Sequence, residues 1–266
     1  MMVLLATLPL PLLLPPPTQP TRLIAHAAEL VLRSKLRECG AVAVHVDGRP
    51  SDLLQGRVFG VRVAGRSWCT PQRLSCRSLE VEVGRTSLDL PQLVQTARIQ
   101  LREPALGAAR VLFSPRDWDN FLHHPLLVDA LRRRRRRAAA GEWEFVRGAS
   151  FDRAAGCVRF HARCGGRAVV CVLSQPAGRV KVKCSLAEEE GARVSGSELE
   201  AMAAGLEEFF TGLRMDLDGC LLSFRSMAIV REPPRALRET RSTPGLLLEL
   251  TLDVRVERFP SPALNI

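Results

Sequence analysis

Residues 51–131 decide the fold predicted for this chain. They begin with the hexapeptide SDLLQG at positions 51–56 and continue with four segments in which apolar and polar residues alternate strictly. The apolar members are Phe59, Val61 and Val63; Leu79, Val81 and Val83; Ala97, Ile99 and Leu101; and Ala109, Val111 and Phe113. A period of two with one polar face is typical of an antiparallel sheet that is half exposed to water. Ser114 and Pro115 then predict the start of a helix, since serine caps helices and proline suits the first turn.

These stretches resemble a known family, the LmeA-like phospholipid-binding family. The residues that carry the likeness are SDLLQG at 51–56, the segments 58–63 and 79–83, Asp117, Leu126 and Leu127. The family is found in plants, algae and cyanobacteria as a domain of unknown function. It is similar in fold to tubular lipid-binding proteins, in which a curled sheet wraps a long helix. The resemblance implies lipid binding and supplies no catalytic motif.

The composition excludes several classes of protein. With 266 residues, of which 46% are hydrophobic, the chain is long and apolar enough to form a core and is not a disordered polypeptide. The net charge is +10, but six of the arginines lie together at 132–137, so the basicity is local. Tyrosine is absent and aromatic residues make up 5%, which argues against a base-stacking surface for nucleic acid. The eight cysteines form no C-x-x-C pair, so no zinc site is predicted.

The chain is predicted to consist of a leader, residues 1–18, and a single domain, residues 19–266. The leader is apolar and then proline-rich, too short and too interrupted by proline to span a bilayer as a helix. It is similar to the apolar region of a targeting peptide. Two interpretations stay open at this point: a disordered or truncated leader, or a segment that transfers the protein into or onto a membrane.

The second half of the chain repeats the alternating construction. Residues 157–164, 168–173 and 180–184 predict a three-stranded meander with a basic outer face, joined by turns at Gly165-Gly166 and at 176–178. Residues 219–230 predict a further strand. Residues 246–258 predict an exceptionally long one, about 43 Å at 3.3 Å per residue. A strand of that length favours a large sheet that curls around helices.

Two amphipathic helices are predicted, at 18–39 and at 195–213. Leu23, Ala27, Leu30 and Val31 lie at helical spacing in the first. In the second, Ser195 and Glu198 have capping-box spacing. The fold class predicted is therefore α+β, with a long curled antiparallel sheet wrapped around one or two amphipathic helices.

The apolar stripe of the second helix is the predicted lipid-binding site. Its residues are Leu199, Met202, Leu206, Phe209, Phe210 and Leu213. The stripe permits two interpretations, an ordinary core face or part of the wall of an acyl-chain site.

The arginine run is the predicted membrane contact. Its residues are Arg132, Arg133, Arg134, Arg135, Arg136 and Arg137. Each basic residue near an anionic bilayer contributes about 1 kcal/mol, so the run supplies up to about 6 kcal/mol. A solvated helix end and contact with nucleic acid are the alternative interpretations, and the second is disfavoured because interleaved aromatic residues are missing.

The predicted function is non-enzymatic binding or transfer of a phospholipid or glycolipid at a membrane surface. The expected partners are a lipid ligand and an anionic membrane, with no cofactor, metal or catalytic residue. G-x-S-x-G, H-E-x-x-H and phosphate-loop motifs do not occur in the sequence. The alternative is a structural or interaction protein with a filled core that docks through its polybasic run. The resemblance implies a membrane-associated chloroplast location, or the cell envelope if the source is bacterial.

Overall fold

The computed structural model of the chain describes residues 20–89, 100–135, 143–187, 195–216, 219–232 and 245–258. The leader predicted at 1–18, the first part of the third alternating segment with Ala97 and Ile99, and Arg136 and Arg137 lie outside these ranges.

The first half of the described chain alternates short helices with strands. In chain order it contains α1 (Pro20–Lys35), β1 (Ala41–Asp47), α2 (Pro50–Leu54), β2 (Arg57–Val58), β3 (Gly60–Cys69), β4 (Ser75–Val83), β5 (Thr86–Ser87), β6 (Gln100–Phe113), α3 (Pro115–Leu122) and α4 (Pro125–Arg135).

The second half consists mostly of strands, with one α-helix in its described part. It contains β7 (Trp143–Asp152), β8 (Cys157–Cys164), β9 (Arg167–Ser174), β10 (Lys181–Leu186), α5 (Gly196–Thr211), β11 (Arg214–Asp216), β12 (Cys220–Arg231) and β13 (Leu246–Arg258), with a single 3₁₀ turn at Pro176–Gly178.

The described strands form two main antiparallel sheets. The larger has seven strands in the order β1-β3-β4-β6-β13-β12-β11, and the smaller has four in the order β10-β9-β8-β7. Strands β2 and β5 form a separate pair. The larger sheet therefore joins the beginning of the chain to its last long strand, which lies between β6 and β12 in the interior of the sheet. The α+β class is confirmed.

The register of the larger sheet lines up the predicted apolar residues on one face. Val44 lies opposite Val63, Val63 opposite Val81, Val81 opposite Ala109, and Ala109 opposite Leu252. Residues directly opposite each other in paired strands point to the same face of a sheet. The alternation predicted from sequence thus becomes one apolar face that crosses the whole sheet.

One hydrophobic core joins this face to the smaller sheet and to helices α3 and α5. Phe210 of α5 lies with its ring centroid 6.1 Å from Trp118 of α3 and 6.1 Å from Phe160 of β8. The ring centroids of Trp118 and of Phe113 in β6 are in turn 6.3 Å apart, in an edge-to-face arrangement. Phe210 therefore connects elements that are up to about a hundred residues apart in the sequence.

The structure differs from the prediction in the number and shape of its sheets. The expected single sheet is two sheets, and the larger one is open, with β1 and β11 at its edges. The described end of the third alternating segment, from residue 100, and the whole fourth segment belong to one strand, β6. Pro104 falls where the pairing of β6 with β13 changes register. Proline is accepted there because it has no N–H to donate to the ladder. Wrapping of the sheet around a helix stays a prediction.

Helix α1 packs along the edge strand β1 and covers the outer margin of the apolar face. Val42 and Val46 on that face are buried, whereas Ala43 and His45 on the other face of β1 are exposed. Its half-buried residues are Ala25, Ala28 and Leu32, whereas the predicted stripe that includes Leu23 and Leu30 is exposed. The Glu29 carboxylate accepts the backbone N–H of Val44 at 2.9 Å, and β1 is an edge strand. The helix follows the edge because unpaired strand groups need partners.

The predicted helix starts are confirmed. The Ser114 side chain accepts the backbone N–H of Asp117, and the Ser195 side chain accepts that of Glu198, each within a complete capping box. Such a cap contributes about 1 kcal/mol.

Candidate functional site

The stripe predicted to bind lipid lies inside the core. Leu206, Phe209, Phe210 and Leu213 are buried, and Leu199 and Met202 are half-buried against the same cluster. Helix α5 thus brings all six predicted residues together, with their side chains packed against α3 and the smaller sheet rather than around an empty channel.

The predicted arginine run begins on α4. Arg132 and Arg133 are exposed. The Arg132 guanidinium lies 3.8 Å from the carboxylate of Asp129, one helical turn earlier. The side chains of the remaining four arginines fall outside the described part of the structure. Leu127, on the same helix, is buried in the core, so α4 is anchored near its start while Arg132 and Arg133 face solvent.

A different surface keeps apolar side chains partly accessible. We use the term valine face for Val44, Val61, Val63, Val81 and Val83, which share the apolar face of the larger sheet at its β1–β3–β4 end. All five are half-buried, whereas Ala109 and Leu252 on the same face are buried. Val42 and Val46, on the same face of β1, are buried where α1 packs along that strand. The apolar face is therefore covered in its middle and at these two positions of β1, while the five valines of the valine face stay partly accessible.

One end of the valine face is closed by an indole ring. A side chain at Gly65 would come within 2.0 Å of the Trp68 ring, so the missing Cβ allows the ring to lie against the backbone. The indole N–H of Trp68 donates to the carbonyl oxygen of Ala41 at 2.8 Å, which ties the ring to the neighbouring strand. Glycine is required here for close approach.

A cation and a second aromatic ring lie at the other end. The Arg85 guanidinium lies 5.5 Å from the centroid of the Phe59 ring, and Phe59 is 41% exposed. Arg85 follows Val83 by two residues, and Phe59 precedes Val61 by two. Cation–π contact holds a guanidinium without neutralising its charge. The apolar face therefore ends at a positive group.

Between the two sheets, Asp119 of α3 is a structural residue. Its carboxylate accepts the backbone N–H groups of Gly148 at 3.0 Å and Ala149 at 3.1 Å, where β7 departs from regular pairing with β8. Ser75 and Asn120 add a hydrogen bond of 2.9 Å between β4 and α3. These hydrogen bonds connect α3 to β7 of the smaller sheet and to β4 of the larger sheet. They hold the helix in place between the two sheets.

Burial changes the acid–base behaviour of two groups near this layer. Burial, and after it the nearby Asp117 carboxylate, raises the pKa of the Cys76 thiol to about 12. Burial lowers the pKa of His124, whose Nδ1 accepts the backbone N–H of Leu126 at 3.4 Å. The Cys76 thiol is therefore held in its protonated, poorly nucleophilic form, and burial disfavours the cationic form of His124.

Two further findings concern metals and membranes. No cluster of three or more His, Cys, Asp or Glu side chains suited to a metal ion occurs in the described ranges. Among those same residues, no helix combines the length and apolar character that crossing a bilayer requires.

The comparison with protein families supplies the decisive observation. The model of the LmeA-like phospholipid-binding family matches residues 21–258, nearly the whole chain. The chain belongs to that family. The LmeA-like match starts in α1 and ends in β13, so it includes both sheets and the valine face. No curated protein and no solved structure gives a significant match.

Membership changes how the site is understood. The LmeA-like family is a lipid-binding family and not an enzyme family. The sequence resemblance is therefore confirmed, while alternation alone had not indicated which part of the apolar face would be left open. Trp68, Phe59 and Arg85 were not predicted as site residues. The sequence signal for Trp68 is an aromatic residue three positions after Gly65. The signals for Phe59 and Arg85 are an aromatic residue at the start of one alternating segment and a basic residue just after the next.

Proposed function

We propose that the protein binds the acyl part of a phospholipid on the valine face and carries it between or along membrane surfaces. The observation that carries this proposal is that the five residues of the valine face are only half-buried, although they are continuous with the core on one side and with the buried Val42 and Val46 of β1 on the other. Exposed apolar surface bounded by polar residues is typical of a ligand or membrane site. The lipid-binding family membership is consistent with that use.

The charge at the end of the valine face suits the other half of a phospholipid. An acyl chain that lies along the valines has its phosphate near Arg85, a planar donor that matches phosphate oxygens. Covering the exposed parts of five valines contributes roughly 2–4 kcal/mol, because full burial of such a side chain is worth roughly 1.5–3 kcal/mol. The contact with Phe59 holds Arg85 in place before the lipid arrives.

The α5 stripe forms a second wall in this proposal. Leu206 and Phe210 are buried against the smaller sheet, so an acyl chain reaches them only when α5 moves outward. A shallow depression beside α5 is lined by Glu207 and Glu208. The Glu207 carboxylate lies 3.3 Å from the Lys181 ammonium and accepts the Val182 N–H at 3.0 Å, so it fixes α5 to β10.

The membrane-facing end of α4 supports reversible docking. Arg132 and Arg133 are exposed and contribute about 1 kcal/mol each near an anionic bilayer. We propose that the whole predicted run, residues 132–137, acts in the same way.

The test is to purify the full chain, extract it with organic solvent and identify bound lipid by mass spectrometry. We expect near-stoichiometric phospholipid in the wild-type protein and strongly reduced lipid in Val63→Asp, since a charge on the valine face opposes acyl contact. Transfer of a fluorescent phospholipid between vesicles is expected to fall in parallel.

Ala43→Asp is the matched control. Ala43 lies on β1 with its side chain on the opposite, exposed face of the sheet, so lipid content is expected to stay unchanged. Equal lipid in Val63→Asp and wild type would show that the site is misplaced. A wild-type protein that is free of lipid and takes none from vesicles would refute lipid binding itself.

A further inference from the structure

Helix α1 exposes more large apolar side chains than any other described element. Leu23 is 57% exposed, Ile24 47%, Leu30 56% and Val31 52%, and these are half of the eight exposed large hydrophobic residues recorded for the described chain. The four residues lie on one side of the helix, since neighbouring residues are about 100° apart around its axis. Isolated exposed leucines are ordinary, but four on one helical face are not.

The opposite side of α1 is already occupied. Ala25, Ala28 and Leu32 face the sheet, Glu29 accepts the Val44 N–H, and Arg33 donates to the carbonyl oxygen of Val42 at 3.4 Å. The helix is thereby held on the β1 edge without using its larger apolar side chains. The exposed side is consequently not needed for folding of the described domain.

Charge near the exposed side indicates what covers it. The helix and the residues just after it carry four basic side chains and two acidic ones, a net charge of +2: Arg22, Arg33, Lys35, Arg37, Glu29 and Glu38. Glu29 and Arg33 bond to β1, and Arg37 lies 4.0 Å from Glu38, so Arg22 and Lys35 supply the net positive charge. A helix with an apolar side flanked by cations is suited to the interface of an anionic bilayer, with the apolar side chains at the level of the headgroups and upper acyl chains.

The size of the patch argues against a second copy of the chain. Four half-exposed aliphatic side chains present at most about 400 Å², given that a whole aromatic side chain buries about 150–250 Å². A stable interface between proteins buries about 800 Å² on each partner. A bilayer has no such minimum, because it adapts to a narrow helix.

We propose that α1 is an interfacial docking helix that inserts Leu23, Ile24, Leu30 and Val31 into an anionic membrane surface. The helix lies along β1, the strand that contributes Val44 to the valine face, so docking brings that end of the sheet to the bilayer. The inference deepens the proposed function and names the surface that meets the membrane.

The experiment is co-sedimentation of the full chain with vesicles of phosphatidylcholine and phosphatidylglycerol. Leu23→Asp/Leu30→Asp is expected to lower the partition coefficient by at least about tenfold, because charge opposes insertion of the apolar side. The matched control is Leu54→Asp/Leu106→Asp, which changes two leucines that are 82% and 67% exposed elsewhere and is expected to sediment as wild type. Unchanged partition of the α1 variant, or equal loss in both variants, would overturn the proposal.

A second measurement does not depend on loss of binding. Leu30→Trp places a reporter in the exposed side of α1, and vesicles are expected to shift its fluorescence to shorter wavelength and to quench it when the acyl chains carry bromine. Emission that stays unchanged in a sedimenting protein would overturn insertion of α1. A wild-type dimer that becomes monomeric in Leu23→Asp/Leu30→Asp, measured by light scattering without lipid, would assign the surface to a second copy instead.

Failure of docking is distinguishable from failure of lipid binding. The α1 variant is expected to bind monomeric dihexanoyl-phosphatidylcholine as the wild type does, whereas Val63→Asp is expected to lose that binding and still sediment with vesicles. Loss of both properties in the α1 variant, with its circular dichroism unchanged, would contradict a separate docking role.

Discussion

The two sheets use the same alternation of apolar and polar residues and differ in how completely their apolar faces are covered. In the smaller sheet, Val158, Phe160 and Cys171 have no exposed surface. In the larger sheet, Val61 and Val63 remain half-buried although their strand is equally regular. The difference teaches that alternation fixes the direction of a side chain, while the packing of layers fixes whether a ligand can reach it. The predictions below test that contrast.

The largest effect is expected from removing the aromatic side chain that joins the layers. Phe210→Ala is expected to lower the free energy of unfolding by about 3–5 kcal/mol, because it leaves a cavity between α3, α5 and β8. Val63→Ala on the valine face is expected to cost less than about 1 kcal/mol, since solvent already reaches the site. Urea unfolding measures both, and similar losses would mean that the valine face is as tightly packed as the core.

The reactivity of Cys76 tests where the covered part of β4 begins. With the pKa of this thiol raised to about 12, alkylation by iodoacetamide at pH 8 is expected to be about a thousandfold slower than for the same thiol in urea, where its pKa is near 9.0. The rate in the folded protein should rise about tenfold per pH unit. Peptide mass spectrometry follows the modification, and equal rates in the two states would place Cys76 in the open part of the sheet.

Asp119 tests how firmly α3 holds the layers together. Asp119→Ala removes the acceptor for two backbone N–H groups of β7 and is expected to cost about 2 kcal/mol. Asp152→Ala is the control, because Asp152 accepts only the N–H of Ala155 in an exposed turn, and its loss is expected to cost about 0.5 kcal/mol. Thermal unfolding compares the two variants. An equal loss of stability in the two variants would show that the hydrogen bonds of Asp119 hold the layers no more firmly than the exposed turn contact of Asp152.

The smallest effect is expected from the titration of His124. Its folded-state pKa is lowered by burial, so the unfolded chain binds an additional proton once the pH falls below about 6.5, the ordinary histidine value. Stability is therefore retained above that pH and declines below it, with a slope of at most about 1.4 kcal/mol per pH unit. His124→Gln should reduce that decline. Parallel pH profiles for wild type and His124→Gln would contradict the assignment.

Much of the fold was predictable because local patterns determine strands and caps. The strand ending in Val83, the β8–β10 meander and the long strand at 246–258 all follow from a period of two, and Ser114 and Ser195 cap helices as predicted. Strand β7 was not predicted, since its alternation is interrupted where Gly148 adopts a φ of 120°. The buried side of α1 was predicted wrongly: Leu23 and Leu30 of the predicted stripe are exposed, while the smaller Ala25 and Ala28 face the sheet. Helical periodicity alone does not distinguish these two sides.

By itself the sequence determined the α+β class, the family and the residues that share each face, because these depend on neighbours a few positions apart. Only the tertiary structure decided that the α5 stripe is buried, that the Val63 end of the larger sheet is half open, and that α1 lies on an edge. Those outcomes depend on contacts such as Phe160 with Phe210, between segments far apart in the chain. Accessibility is a property of assembled layers, and no single segment encodes it.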